Sequence, residues 1–208
     1  VKYKLVIFDL DGTLSDSLPW FRRIINSFAD RHKFRRIEDD EVEMLRGAGS
    51  RQIVQFLGVP FWKLPIIARD MRRLKSEHVD DIPLFAGVDR MLRDLTAQGN
   101  VLAMVSSDHE ANVRRALGAD NAGLIAHYAC GASLFGKASK FKQVLKRAGI
   151  PANQTIAIGD EVRDVEAARK AGVRFGAVTW GYATAEALRQ HGADEVFASL
   201  DEIAAKLA

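Results

Sequence analysis

The sequence predicts an α/β fold, a doubly wound parallel sheet with a small α-helical insertion. Three observations carry the prediction. The apolar run from Leu5 to Leu10 is continuous rather than alternating, the pattern of a strand covered on both faces. Similar runs recur at Val101 to Val105, Thr155 to Ile158 and Val173 to Val178, separated by helical periodicity such as Val88, Met91, Leu92 and Leu95. Between the first run and Gly87, by contrast, the apolar residues follow helical spacing alone.

Taken in order, the first strand closes in Asp-Gly-Thr, a turn signal. Trp20, Ile24 and Phe28 then recur at i, i+4 and i+8, with Phe21 and Ile25 beside them, so one face of a helix is apolar. Ile53, Val54, Phe56 and Leu57 predict a second helix, and Ile66, Ile67, Met71 and Leu74 a third. Structureless loops above roughly 12–15 residues are uncommon in compact proteins, so this stretch has its own fold. Residues 15–83 are therefore read as a helical cap, and residues 1–14 with 84–208 as a Rossmann-like core. With no internal repeat and no low-complexity linker, cap and core share a boundary near Asp16 and Leu84.

The 208 residues, 48% hydrophobic and 27% charged, match a globular protein of one core plus a modest insertion. A formal charge of +3 is too slight to argue for a nucleic-acid partner, though it suits small anionic substrates. Cys130 is the only cysteine, which excludes an internal disulfide and a cysteine metal site and makes the reducing cytoplasm the expected compartment. The chain begins directly in a strand-like segment, KLVIFDL, and no stretch is apolar for long enough to cross a bilayer, so no membrane association is expected.

Asp9 and Asp11 close the first strand with one residue between them, which aims two carboxyl groups to the same side if extended geometry persists. Such a pair repels unless a cation lies between the acids or one of them holds a proton. Gly12 permits the turn that follows, and Thr13 offers a hydroxyl and an N–H beside it. Alone, this is also the pattern of a capped turn. A second acid, Asp160, ends the strand at Ile158-Gly159, and Asp164 follows at i+4 on a helix running through Val165, Ala168 and Ala171. Like charges at that spacing destabilise a helix. A divalent cation removes the objection, and oxygen-only ligands point to Mg²⁺. Ser106 ends a third strand, VLAMV, and Lys137 precedes the helix that leads to the Asp160 strand. Parallel strands finish at one edge, where ligands collect, so all these groups converge.

In this order and spacing the residues resemble the haloacid dehalogenase-like hydrolase superfamily. Asp9 to Thr13 forms its first motif, Ser106 its second, Lys137 its third and Gly159-Asp160 through Asp164 its fourth. The late segment Gly176 to Tyr182 is similar to phosphoglycolate-phosphatase-type members, as is a helical cap placed between the first and second motifs. The resemblance implies a Mg²⁺-dependent phosphomonoester hydrolase, with dehalogenation disfavoured because Asp11 is present. It further implies that Asp9 is the nucleophile, Asp11 the general acid and base, and Ser106 and Lys137 the groups that stabilise the phosphoryl oxygens. The Asp9 carboxylate, the Asp11 carbonyl, Asp160 and Asp164 would hold the metal. Lys140 is the competing lysine.

Thr13, Ser107, Arg46 and Gly47 are the candidate substrate contacts; Arg46, Gly47 and Gly49 occupy the turn between two cap helices that reaches over the site in this branch, where an interhelical turn with a solvated Arg is an equal account. Ser107 stands where the family more often has Asn, and Glu161 where a small hydroxyl residue is usual. Glu161 reads most simply as stabilising a helix N-terminus, and His109 as a rim residue. His32-Lys33 and the pairs Arg22-Arg23, Arg35-Arg36 and Arg72-Arg73 read as solvated helix faces. A hydrolase of a small phosphorylated metabolite (phosphoglycolate-like, sugar or nucleotide phosphate) is the leading expectation. A sugar phosphomutase shares every core residue, and a catalytically idle binding protein would keep the fold alone. Oligomeric state is not legible.

Overall fold

In the computed structural model, which describes residues 2–131 and 136–207, the apolar runs form a parallel sheet. Its strands are β1 (Leu5–Phe8), β2 (Val101–Val105), β3 (His127–Ala129), β4 (Thr155–Gly159), β5 (Arg174–Val178) and β6 (Glu195–Phe197), in the order β3-β2-β1-β4-β5-β6. β1 is central, with Phe8 opposite Met104 on one side and Ile158 on the other. Its four residues are wholly buried, which is why they read as an unbroken apolar run. The strand stops at Phe8 rather than Leu10. Asp9 makes the last rung by donating its N–H to the Ile158 carbonyl (3.0 Å), and the chain then turns. β3 and β6 were not foreseen: each is three residues long and carries a His or Glu, too little for a period to show.

Alternation along β1 splits the core into two layers. Val6 and Phe8 pack with Leu102, Met104, Ile156 and Ile158 beneath α5 (Val88–Ala97), α6 (Glu110–Leu124) and α10 (Leu200–Leu207). Leu5 and Ile7 face the other way, with Ala103 and Ala157, toward α7 (Lys137–Ala148), α8 (Val162–Ala171) and α9 (Ala185–Gln190). Small residues on that second layer let the helices approach closely.

Between β1 and α5 lie α1 (Leu18–His32), α2 (Val42–Arg46), α3 (Ser50–Phe56) and α4 (Leu64–Glu77). α1 starts at Leu18-Pro19, where proline loses no helical hydrogen bond, and buries Trp20, Ile25, Phe28 and Ala29. α2 was not anticipated, because five residues hold no full apolar repeat. A small separate cluster holds Leu57, Val59 and Leu64 with Ile53, Val54 and Ile67 around them. The two connections run side by side: Asp16 N–H donates to the Pro83 carbonyl (2.8 Å) and Phe85 N–H to that of Leu14 (2.9 Å). One surface reading changes here, that of His32, while Arg35 stays exposed but gains a contact. His32 is packed on the Phe28 ring (4.4 Å between centroids) and faces Asp70 at 3.6 Å, so it is not a solvated residue. Arg35 lies over the Phe56 ring at 3.9 Å. No helix among the described residues is long and apolar enough to cross a membrane.

Candidate active site

The strand order reverses direction between β1 and β4, and the crevice outside the carboxyl ends of these two strands is where open α/β sheets bind ligands. Asp9 and Asp160 are the residues that follow them. Asp9 is buried, accepts from the Leu10 N–H (2.8 Å) and lies 2.6 Å from the Lys137 ammonium. Lys137 Nζ is also 2.6 Å from Asp164 Oδ1. Lys137 opens α7, and a cation at a helix N-terminus is disfavoured by the dipole; the two carboxylates hold it there. Lys140, one turn further on, has no such partner among the described residues, so of the two it is Lys137 that the acidic cluster holds.

Asp160 and Asp164 do not share a helix face as their spacing suggested. Asp160 precedes α8, which begins at Val162, and Asp164 lies in its first turn, so a strand end and a helix start bring them together. Asp160 is fixed by the Thr13 hydroxyl on Oδ1 (2.9 Å) and the Tyr182 N–H on Oδ2 (2.8 Å). Asp9, Asp160 and Asp164 each place a carboxylate oxygen within 4.8 Å of the others, all three residues buried. The cradle tolerates no added bulk. A Cβ on Gly12, whose φ is +71°, would come within 2.2 Å of Asp160 Oδ2, and one on Gly181 within 2.2 Å of Asp160 Cβ.

These acids carry more negative charge than their neighbours balance. Burial, reinforced by the Asp164 charge, outweighs Lys137 and raises the Asp9 carboxyl to about 6. Burial and the charges of Glu161, Asp9 and Asp164 push Asp160 well above the usual carboxylate range. Burial alone would lower Lys137, but Asp164 and Asp9 override it and keep the ammonium charged. Asp164 Oδ2 is buried with no hydrogen-bond partner among the described residues. An all-oxygen cluster with excess charge and an orphaned oxygen fits a hard divalent cation.

Other expected residues fall elsewhere. The Asp11 side chain turns away from the cluster, so its carbonyl is its remaining route to a metal; its carboxylate lies 2.6 Å from Lys75 Nζ of α4. Thr13, expected to touch substrate, is fully buried and its hydroxyl is committed to Asp160. Ser106 is buried just beyond β2, accepting from the Asp108 N–H at 3.1 Å, and Ser107 is half-buried beside it. Arg46 is half-buried and lines the cavity beside the site. It donates to the carbonyls of Tyr182 (3.1 Å) and Gly181 (3.2 Å) and pairs with Glu43 (2.9 Å), tying α2 to the loop that holds Asp160. Gly47 is exposed in the turn after α2. His109 is exposed at the N-terminus of α6, and Glu161 pairs with Arg163.

Sequence reasoning missed Lys75, Asp108, Arg163 and Tyr182. Lys75 is 8% exposed and bridges Asp11 to Asp108 (3.1 Å). Asp108 is fixed by the His109 N–H (2.7 Å) and the Asn112 amide (2.9 Å). A signal existed: Lys75 continues the stripe of Leu64, Ala68 and Met71, a charge where the helical period calls for an apolar residue. Asp108 likewise stands two residues after Ser106, as Asp11 does after Asp9.

Residues 6–178 match the family model described as haloacid dehalogenase-like hydrolase. The chain is 32% identical over 178 residues to a phosphoglycolate phosphatase of Synechococcus elongatus, which spans 85% of this chain and 84% of that protein. It is 30% identical over 195 residues to the tyrosine-protein kinase PtkA of Mycobacterium tuberculosis, spanning 88% and 64%. Its fold is similar to that of CbbY from Rhodobacter sphaeroides, solved in complex with phosphate, with a TM-score of 0.73, 21% identity and 97% and 96% of the two chains covered.

Proposed function

From the premise that this chain belongs to the haloacid dehalogenase-like hydrolases, we propose that it is a Mg²⁺-dependent phosphatase of small phosphorylated metabolites acting through a phosphoryl-aspartate. The observation that carries the reading is the buried Asp9 carboxylate, 2.6 Å from Lys137 and clustered with Asp160 and Asp164 at the sheet crevice.

In this reading an Asp9 oxygen attacks phosphorus, and the ester oxygen departs with a proton from Asp11. Water then attacks the same phosphorus, giving its proton to Asp11, and inorganic phosphate leaves with Asp9 restored. Lys137 balances the charge on the transferring oxygens and the Ser106 hydroxyl donates to one of them. The carboxylates of Asp9, Asp160 and Asp164 with the Asp11 carbonyl would hold Mg²⁺, which when bound supplies Lewis-acid stabilisation to the phosphoryl group. α1–α4 act as a cap on this edge, and Lys75 carries their contact to Asp11.

The test is phosphate release from phosphoglycolate, sugar phosphates and nucleotides, with and without Mg²⁺, on the parent protein and Asp9→Asn. Release that needs Mg²⁺ and Asp9 supports the reading. Release unaffected by Asp9→Asn would sink it, and sugar-phosphate interconversion without release would make the protein a mutase.

A further inference from the structure

Between α1–α4 and the catalytic edge lies a cavity of about 420 Å³ that reaches Asp11, Lys75 and Ser107. Lys75 already touches Asp11 (2.6 Å), so this is the volume with α4 seated on the core. It falls within the roughly 300–1,000 Å³ of small-molecule sites and is far larger than a two-carbon leaving group needs. Trp20, Phe21 and Ile25 of α1, Leu45 of α2, Ile53 of α3 and Met71 of α4 supply its walls.

The polar groups along those walls are mostly engaged. The Asn26 amide is bonded to the Ile37 N–H and carbonyl (2.8 and 2.9 Å), and the Ser17 hydroxyl to Tyr182 (3.1 Å). Arg46 is held by Glu43 and two carbonyls, Arg163 by Glu161, and Lys75 by Asp11 and Asp108. Away from the phosphoryl end, Arg72, the Ser50 hydroxyl and the Trp20 indole N–H are the lining side-chain groups without a hydrogen bond or ion pair among the described residues. A sugar would bury several hydroxyls here with too few partners, at about 1–3 kcal/mol for each unsatisfied group. A small hydroxy acid would leave most of the apolar wall uncovered.

We propose that the substrate is a phosphomonoester whose leaving group is a bulky, largely apolar alcohol, its body lying between α1 and α4 against Phe21 and Met71. This deepens the phosphatase reading and rests on it. The leaving group departs as an alcohol carrying the Asp11 proton, as for any ester at this site.

The experiment compares kcat/KM, at saturating Mg²⁺, for ethyl, butyl and hexyl phosphate, 3-phenylpropyl phosphate, 2-phosphoglycolate and glucose 6-phosphate. All six leave as primary alcohols, so the comparison isolates recognition. Full burial of a methylene corresponds to a three- to fourfold rise in kcat/KM per carbon from ethyl to hexyl. 3-Phenylpropyl phosphate should exceed 2-phosphoglycolate at least tenfold. In Met71→Glu and in Phe21→Ala the hexyl-to-ethyl ratio should collapse, a readout internal to each variant and independent of how much of it is folded. A flat alkyl series overturns the proposal. So does a preference for 2-phosphoglycolate that Arg72→Met removes, which would make the cavity an anion receptor. Absence of phosphate release from all six esters overturns the phosphatase reading and this proposal with it, whereas release with the wrong preference overturns this proposal alone.

Discussion

The catalytic edge of the sheet and the helical segment beside it are built on opposite terms. Around the edge, Asp9, Ser106, Lys137, Asp160 and Asp164 are all buried, and each follows a strand or opens a helix of the packed core. In the segment α1 buries Trp20, Ile25, Phe28 and Ala29, and Leu57, Val59 and Leu64 form a small separate cluster around α3. Among the described residues the exposed large hydrophobics, Met44, Phe61, Trp62 and Ile66, all belong to the segment. On the proposed reading the chemistry sits on the packed core, and selection of the alcohol falls to the helical segment.

The contrast yields predictions that weaken with distance from Asp9. Asp9→Asn should lower kcat by at least about 10⁴-fold, as loss of a nucleophile does, with no phosphoenzyme formed in a rapid-quench measurement. Lys137→Ala should lower kcat by roughly 10²–10³-fold. It should also destabilise the apoprotein in urea titration, because Asp9 and Asp164 lose their shared cation inside the core. Mg²⁺ at about 100 times its Kd should stabilise the parent by about 2.7 kcal/mol in thermal melts, and Asp164→Asn should remove most of that gain.

Lys75→Met tests the junction between the two regions. Asp11 and Asp108 then meet without their common ammonium, and kcat should fall about tenfold, the equivalent of about 1.4 kcal/mol. Lys75→Arg should recover part of it. An unchanged rate would show that the contact does not position Asp11. At the far end, Trp62, 70% exposed, is expected to change stability by no more than about 0.5 kcal/mol on conversion to Ser, and kcat not at all.

Individual residues show how far the site was legible. Asp9 and Asp160 could be read because each follows a continuous apolar run, and such a run means a buried parallel strand. Lys137 was harder, since a lysine beginning a helix looks like surface until two acids are seen to hold it. Thr13 was legible as a turn residue, but the partner of its hydroxyl was not. Its hydroxyl serves Asp160, 147 positions away, which local pattern does not reveal. The partners of Arg46 were illegible for the same reason, because the carbonyls it binds belong to a loop 135 and 136 positions on.

Periodicity and turn chemistry are local, so the amino-acid order alone determined the layered α/β core, the helical stretch after β1 and the acids at the strand ends. Which charges meet was decided only by the tertiary structure. Strand order β3-β2-β1-β4-β5-β6 sets the Asp9 and Asp160 termini side by side, and the docking of α4 carries Lys75 onto Asp11. Burial then turns those meetings into large energies, because a charge withdrawn from water must find its counter-charge within a few ångströms. That distance is a property of the packed chain and has no counterpart in sequence spacing.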